Sequence, residues 1–240
     1  MQLVPTNIRD VRLDPDRLVR YAAEIDQRVA NGEPALLIDG RRMAGAACFW
    51  DPAFGRPEGG GDASVIAAVF ADEAGGYWLH GIEYLRFDPG TLDQADAATQ
   101  LCRQVADFLV RHEQPSVTVE TNGIGKFLPG LLRKELRARG LALAVAEHVS
   151  TRSKEQRILD ALDPLLAAGA LHAHARVWDT PFVREMREWT PTGRAADDGL
   201  DAVSGCILAQ PVRLGGGPKA PGRRPAWRPA DYLARTDFAV

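Results

Sequence analysis

An α/β protein is the fold class this sequence predicts: a mixed sheet with an antiparallel set of first three strands, then parallel strands, flanked by helices. Three observations lead there. Residues 44–50, 64–71 and 77–87 are short apolar runs separated by Gly- and Asp-rich breaks, the mark of strands in a buried sheet joined by tight links. From about residue 91 the apolar period lengthens to that of a helix. Strand-like and helix-like stretches then alternate to residue 209, the order that builds parallel strands with crossover helices.

Taken in order, residues 14–31 read as helix. Asp14-Pro15 is an opening signal, Leu18, Val19, Ala22, Ile25 and Val29 share one helical face, and Asn31-Gly32 is a stop. Residues 1–43 are therefore expected to be a helical lead-in or linker. The first strand, 44–50, ends at Asp51-Pro52 and a Gly-rich turn over 55–61; the second, 64–71, turns at 72–76 into the third, 77–87. A helix over about 91–112 carries Ala98, Leu101, Val105, Phe108 and Leu109 at helical spacing. Residues 117–120 form a fourth strand, and Asn122-Gly123 breaks the chain before a helix with Phe127, Leu131, Leu132 and Leu136. A fifth strand over 141–145, a Ser153-capped helix over 154–168 and a closing helix over 199–209 follow. The main domain spans 44–211, and 212–240 is a Gly/Pro/Arg-rich tail. The order strand–strand–strand–helix–strand–helix–strand–helix–helix is that of a ribonuclease H-like fold, an analogy that by itself carries no activity.

With 240 residues, 45% hydrophobic and 25% charged, the chain is of globular composition, which excludes collagen-like, coiled-coil and fully disordered classes. No apolar run approaches the roughly 20 residues of a membrane span, and residues 1–10 carry no secretory pattern. Cys48, Cys102 and Cys206 are expected to be small core residues in a reducing compartment. His80, His112, His148, His172 and His174 form no metal pattern and are expected on the surface or in loops. Trp50 and Trp78 are expected in the core, whereas Trp178, Trp189 and Trp227 either are buried or stack on bases. Net charge is −3, yet residues 126–157 hold eight cations against three anions. That is enough for a basic face toward a polyanion, and equally a run of solvated helix surfaces.

The acids fall at particular places. Asp51 ends the first strand and Glu120 the fourth, while Asp197, Asp198 and Asp201 open the closing helix. The i,i+3 spacing of Asp198 and Asp201 puts both on one helix face. Carboxylates gathered in one place repel one another and resist desolvation, so a divalent cation is what balances them. Hard oxygen donors without a His/Cys cluster favour Mg²⁺ or Mn²⁺. Two such ions ~4 Å apart suit phosphodiester cleavage.

These residues resemble a family. Phe49-Trp50-Asp51-Pro52-Ala53, then Gly60-Gly61-Asp62-Ala63-Ser64-Val65 and Trp78-Leu79-His80, resemble the first nuclease motif of viral large terminase subunits. Val119-Glu120-Thr121-Asn122-Gly123-Ile124-Gly125 is similar to their second acidic motif, Ser153-Lys154-Glu155-Gln156-Arg157-Ile158 to their internal basic segment, and Asp197-Asp198-Gly199-Leu200-Asp201-Ala202 to their closing acidic motif. The likeness runs from about residue 44 to 210 in family order. It implies an endonuclease with two Mg²⁺ or Mn²⁺ ions that cuts concatemeric viral DNA during genome packaging in the host cytoplasm. It also implies double-stranded DNA, a packaging ATPase domain, a small terminase subunit and a portal as partners, with no membrane. The chain has no GxxxxGK[ST] loop, so an isolated nuclease module without its motor is expected.

By the same resemblance Asp51, Glu120 and Asp201 are the catalytic set. Asp51, Glu120, Asp198 and Asp201 hold metal, with Asp51 the bridge between ions. Which of Asp197 and Asp198 faces the metal stays open, and Asp62 is a supporting, capping or alternative ligand. Lys126, Arg152, Lys154 and Arg157 are expected phosphate contacts. Two other functions fit the same residues: a ribonuclease H-like junction resolvase or transposase core, and a non-catalytic DNA-binding or capsid-docking module.

Overall fold

The structure, a computed structural model, describes residues 13–30, 33–54, 63–193, 195–209 and 211–214. Ten strands among them form one mixed sheet. Its centre is β4 (Arg41–Asp51), β5 (Ser64–Asp72) and β6 (Tyr77–Leu85), antiparallel in series, with β7 (Ser116–Glu120) parallel to β4 on the other side and β8 (Ala144–His148) parallel to β7. That is the predicted core of the fold. Helices α1 (Ala97–Arg111) and α2 (Leu128–Ala138) link β6 to β7 and β7 to β8, and α3 (Lys154–Ala167), α4 (Phe182–Glu188) and α5 (Asp198–Leu208) follow.

The pleat sorts side chains between two cores. Along β4, Ala47 and Phe49 enter the core shared with Ile158, Leu162, Leu200 and Val203 of α3 and α5. Cys48 and Trp50 enter the one shared with Leu101, Val105, Leu109 and Leu132 of α1 and α2. Along β7, Val117 and Val119 face the α1/α2 side. Period-two alternation therefore sends Asp51 and Glu120 to the face covered by α3 and α5. The parallel register pairs Phe49 with Thr118 and Trp50 with Val119, so the next residues, Asp51 and Glu120, stand side by side at the two strand ends. Close approach of α5 to β4 depends on Gly205, where a Cβ would lie 2.5 Å from the Phe49 ring.

Several expectations are corrected. Residues 14–31 are not a helix: a 3-10 turn over Pro15–Arg17 leads into β1 (Val19–Tyr21), and β2 (Ile25–Ala30) pairs antiparallel with β3 (Glu33–Ile38), which continues into β4. The helical spacing of Leu18, Ala22, Ile25 and Val29 is outweighed by ladder pairing of residues 25–30 with residues 33–38, and Asn-Gly is a hairpin signal before it is a helix stop. The first long helix begins at Ala97 rather than 91, because Asp96 accepts from Thr99 N at 2.9 Å and caps it there. The fifth strand starts three residues later than expected. The sequence reading also missed β9 (Leu171–His174), which lies parallel between β6 and β1, and the short α4. Of the tail, Val212–Arg213 forms β10 against β4; residues 215–240, with Trp227, lie outside the described residues.

All three cysteines are buried and free, and Trp50, Trp78 and Trp189 are core residues. Three of the five histidines overturn their surface assignment: His80, His112 and His174 are buried, His80 and His174 against Tyr21 and His112 against His80 and Phe108, with Tyr21 Oη 2.9 Å from His80 Nδ1. Their environment is assembled from β1, β6, β9 and the end of α1, which no local pattern announces. No helix among the described residues is long and apolar enough to cross a membrane.

Burial, then the neighbouring His174 and Arg176, pull the His80 imidazole down to about 4, and burial with His80 beside it pulls His112 down to about 3. A base depressed in the folded state leaves the unfolded chain binding more protons between that value and the ordinary 6.5. Stability supplied by the neutral rings is therefore full above pH ~6.5 and is lost as pH falls toward 4. Melting curves from pH 7.5 to 4.5 are expected to show His80→Asn less stable than wild type at neutral pH, with a smaller further loss on acidification. An unchanged pH slope would contradict it.

Candidate active site

Among the described residues, ligand oxygens of Asp51, Glu120 and Asp201 lie within 4.8 Å of one another. Strand register supplies the first two, and α5, packed across the strand ends, supplies the third. Glu120 and Asp201 are buried and Asp51 partly so. Glu120 Oε1 accepts from Asn122 Nδ2 at 2.8 Å and from Arg157 Nη1 at 3.3 Å. Arg157 Nη2 donates to Asp201 Oδ2 at 2.9 Å, so one guanidinium straddles two of the three acids. Arg157 also bonds the Ser150 hydroxyl.

Lys154 stands at the other side of the cluster. Its Nζ is 2.7 Å from Asp197 Oδ1, 3.1 Å from Asp198 Oδ1 and 3.9 Å from Asp201 Oδ2. Asp198 and Asp201 thus share a helix face, as their spacing predicts, and that face meets a lysine. Asp198 Oδ2 accepts from Ala63 N at 2.8 Å, so both its oxygens are engaged and it lies outside the three-carboxylate group. Asp197 is likewise held by Lys154. Asp62 lies outside the described residues.

The four expected phosphate contacts divide. Lys126 and Arg152 are exposed, Arg152 beside Asp160 at 3.5 Å. Lys154 and Arg157 point inward, with Arg157's side chain only 11% exposed. A charge run in sequence gives the sign of a surface but not the direction of each long side chain, which can bury its stem and turn its head either way.

The electrostatics follow from crowding. Burial first, then the charges of Glu120 and Asp201, push the Asp51 carboxyl up to about 8. Asp201 is pushed up to about 6 by burial, with Lys154 and Arg157 restraining the rise. Burial alone would lower the Lys154 ammonium; Asp197, Asp198 and Asp201 around it hold it above its ordinary value instead. Five acids (Asp51, Glu120, Asp197, Asp198, Asp201) thus face two cations.

Residues 57–171 match the family described as the ribonuclease H-like domain of bacteriophage T7 terminase. That stretch of the chain is similar to a terminase ribonuclease H-like domain. The fold of the chain is similar to the human cytomegalovirus terminase nuclease domain, soaked with Mn, at 14% identity over 68% of this chain and 82% of that one, with a TM-score of 0.50. The nuclease domain of the large terminase subunit gp2 of bacterial virus Sf6 aligns at 12% identity over 70% and 90% of the two chains, TM-score 0.48. The large terminase nuclease from thermophilic phage G20c, with bound zinc, aligns at 15% identity over 83% and 97%, TM-score 0.47. No curated protein matches in sequence.

Sequence reasoning missed two residues of the site region. Glu185 on α4 is buried and accepts from the backbone of Gly199 and Leu200, and Tyr84 on β6 donates to it. Glu185 belongs to a helix the pattern did not reveal, and its partners are distant in sequence; the one available signal was an acid amid the apolar Phe182, Val183 and Met186.

An acid whose value is raised by folding binds more protons folded than unfolded, so its contribution falls as pH rises from its ordinary 3.8 through the folded value. In chelator, the protein is expected to lose stability from pH 6 to 8.5 as Asp51 ionises beside Glu120 and Asp201. Asp51→Asn should raise the melting temperature at pH 8 by a few degrees and flatten that decline. Thermal melts of the two proteins across this range check it.

Proposed function

We propose that this domain is a divalent-metal-dependent endonuclease that cuts concatemeric viral DNA during genome packaging. The single observation that carries the proposal is the convergence of Asp51, Glu120 and Asp201 at the ends of two parallel strands and one helix. The donor set fits a hard cation: three carboxylates supply oxygen, and among the described residues no thiolate or imidazole joins the group. Asp201 Oδ1 is buried without a hydrogen-bond partner, an oxygen in want of a cation or donor. The match to a terminase family and the fold shared with a nuclease domain soaked with Mn support the same assignment.

Asp51, Glu120 and Asp201 would hold Mg²⁺ or Mn²⁺. When bound, two such ions supply an activated water and stabilise the charge that develops on the leaving oxygen. The chain's own residues do the rest. Lys154 and Arg157 neutralise part of the acidic cluster and keep its carboxylates oriented. Lys126 and Arg152, exposed on the same basic stretch, are available to phosphates of double-stranded DNA, an attraction that weakens as salt rises. The chain would work with a packaging ATPase domain, a small terminase subunit and a portal in the host cytoplasm.

Plasmid nicking in Mn²⁺ is expected for the purified chain and absent in chelator. Asp51→Ala, Glu120→Ala and Asp201→Ala should each reduce it to background with the circular dichroism spectrum retained. Full activity in all three would overturn the assignment. DNA binding that is equal in metal and chelator, with no cutting, would point to a docking module, and strong preference for a four-way junction to a resolvase.

A further inference from the structure

We propose that Glu185 is a positioning residue: it caps α5 from the side and so sets where Asp201 stands in the acidic cluster. The inference rests on the metal-dependent reading above and adds to it a device that holds the ligand helix in place.

The first turn of any helix leaves backbone N–H groups without partners, and a side chain at the cap position ordinarily accepts from them. Asp197 occupies that position on α5 but makes no such bond; its carboxylate goes to Lys154 instead. The vacant acceptor role is filled from another element. Glu185 Oε2 accepts from Gly199 N at 2.9 Å and Leu200 N at 3.3 Å, and Oε1 accepts from Tyr84 Oη at 2.8 Å. Three donors converge on one buried group: one oxygen accepts from both N–H groups, and the other meets the Tyr84 hydroxyl, a group that can itself donate or accept. Glu185 is 3% exposed, so water does not compete for these bonds.

Space is as restricted as chemistry. A Cβ at residue 199 would lie 2.0 Å from Tyr84 Oη and 2.8 Å from Glu185 Oε2, which explains the glycine between Asp198 and Asp201. Asp201 sits on this same first turn, its own N–H bonded to Asp197 O at 3.0 Å. Fixing the N–H groups of residues 199 and 200 therefore fixes the rotation and depth of the turn that delivers Asp201 toward Asp51 and Glu120. Tyr84 belongs to β6, in the same sheet as β4, so the clamp ties the helix-borne carboxylate to the framework that holds the strand-borne ones.

The test is calorimetric titration of the full chain with Mn²⁺, well below the melting temperature of each variant. Glu185→Ala is expected to weaken Mn²⁺ binding about tenfold or more, the range seen when groups supporting metal ligands are removed. Tyr84→Phe should fall between it and wild type. Glu185→Gln should stay near wild type, because its amide oxygen still accepts from residues 199 and 200 while its NH₂ turns to the Tyr84 oxygen. A cap that merely stabilises α5 would lower melting in chelator without moving the Mn²⁺ affinity of the folded protein, so folded Glu185→Ala with wild-type affinity overturns the proposal. Should Glu185→Ala fail to fold, wild-type affinity in Tyr84→Phe overturns it equally. Wild type that binds no Mn²⁺, or binds it unchanged after Asp201→Ala, removes the metal reading itself; a normal Asp201 dependence with unaltered Glu185→Ala removes only the positioning role.

Discussion

Everything in this domain is arranged around like charges held closer together than water would allow. Two carboxylates are forced side by side because β4 and β7 are parallel neighbours in register, and a third is brought to them by a helix laid across the strand ends. Burial and mutual repulsion push Asp51 far above its ordinary range, so the metal-free cluster is a strained arrangement that favours protons or cations. Lys154 and Arg157 relieve part of that strain from within the chain. They do not neutralise it, and an excess of negative charge remains among the carboxylates.

The sheet can impose this arrangement because its strength lies elsewhere. Two apolar cores, one on each face, fix β4 and β7 through residues that alternate with the acids, and the strand ends inherit their position from that packing. Helix α5 is less well determined by its sequence: its cap position is taken by an acid that bonds a lysine, and its second residue is glycine. The Glu185–Tyr84 clamp and the close fit at Gly205 supply from outside what the helix lacks in itself. Both glycines have the same cause, a neighbouring ring or carboxylate occupying the space of a side chain.

How much of this is legible in the sequence depends on the range of the interactions. Apolar runs ending in Asp51 and Glu120 are local signals, and the central strands, α2, α3 and α5 follow from them. The acidic set could be assembled because strand order carries the register with it. Residues 14–31 misled because apolar residues at helical spacing occur by chance in a short stretch, and because the partner of β1 in the sheet is remote. The inward turn of Lys154 and Arg157, the burial of His80, His112 and His174, and the role of Glu185 are all set by contacts between distant elements; composition tells which residues carry charge and says nothing of where they point. Asp198 is the instructive case: it shares a helix face with Asp201, as its spacing predicts, and that face brings its oxygens to Ala63 N and Lys154, which no local pattern announces.

The most direct measurement is anomalous diffraction from crystals of the chain soaked in Mn²⁺ near neutral pH. The account predicts anomalous density among the carboxylates of Asp51, Glu120 and Asp201, at the roughly 2–2.5 Å from oxygen that hard divalent ions adopt. Ordered carboxylates there, with Lys154 and Arg157 still in place and no anomalous density at saturating Mn²⁺, would contradict it.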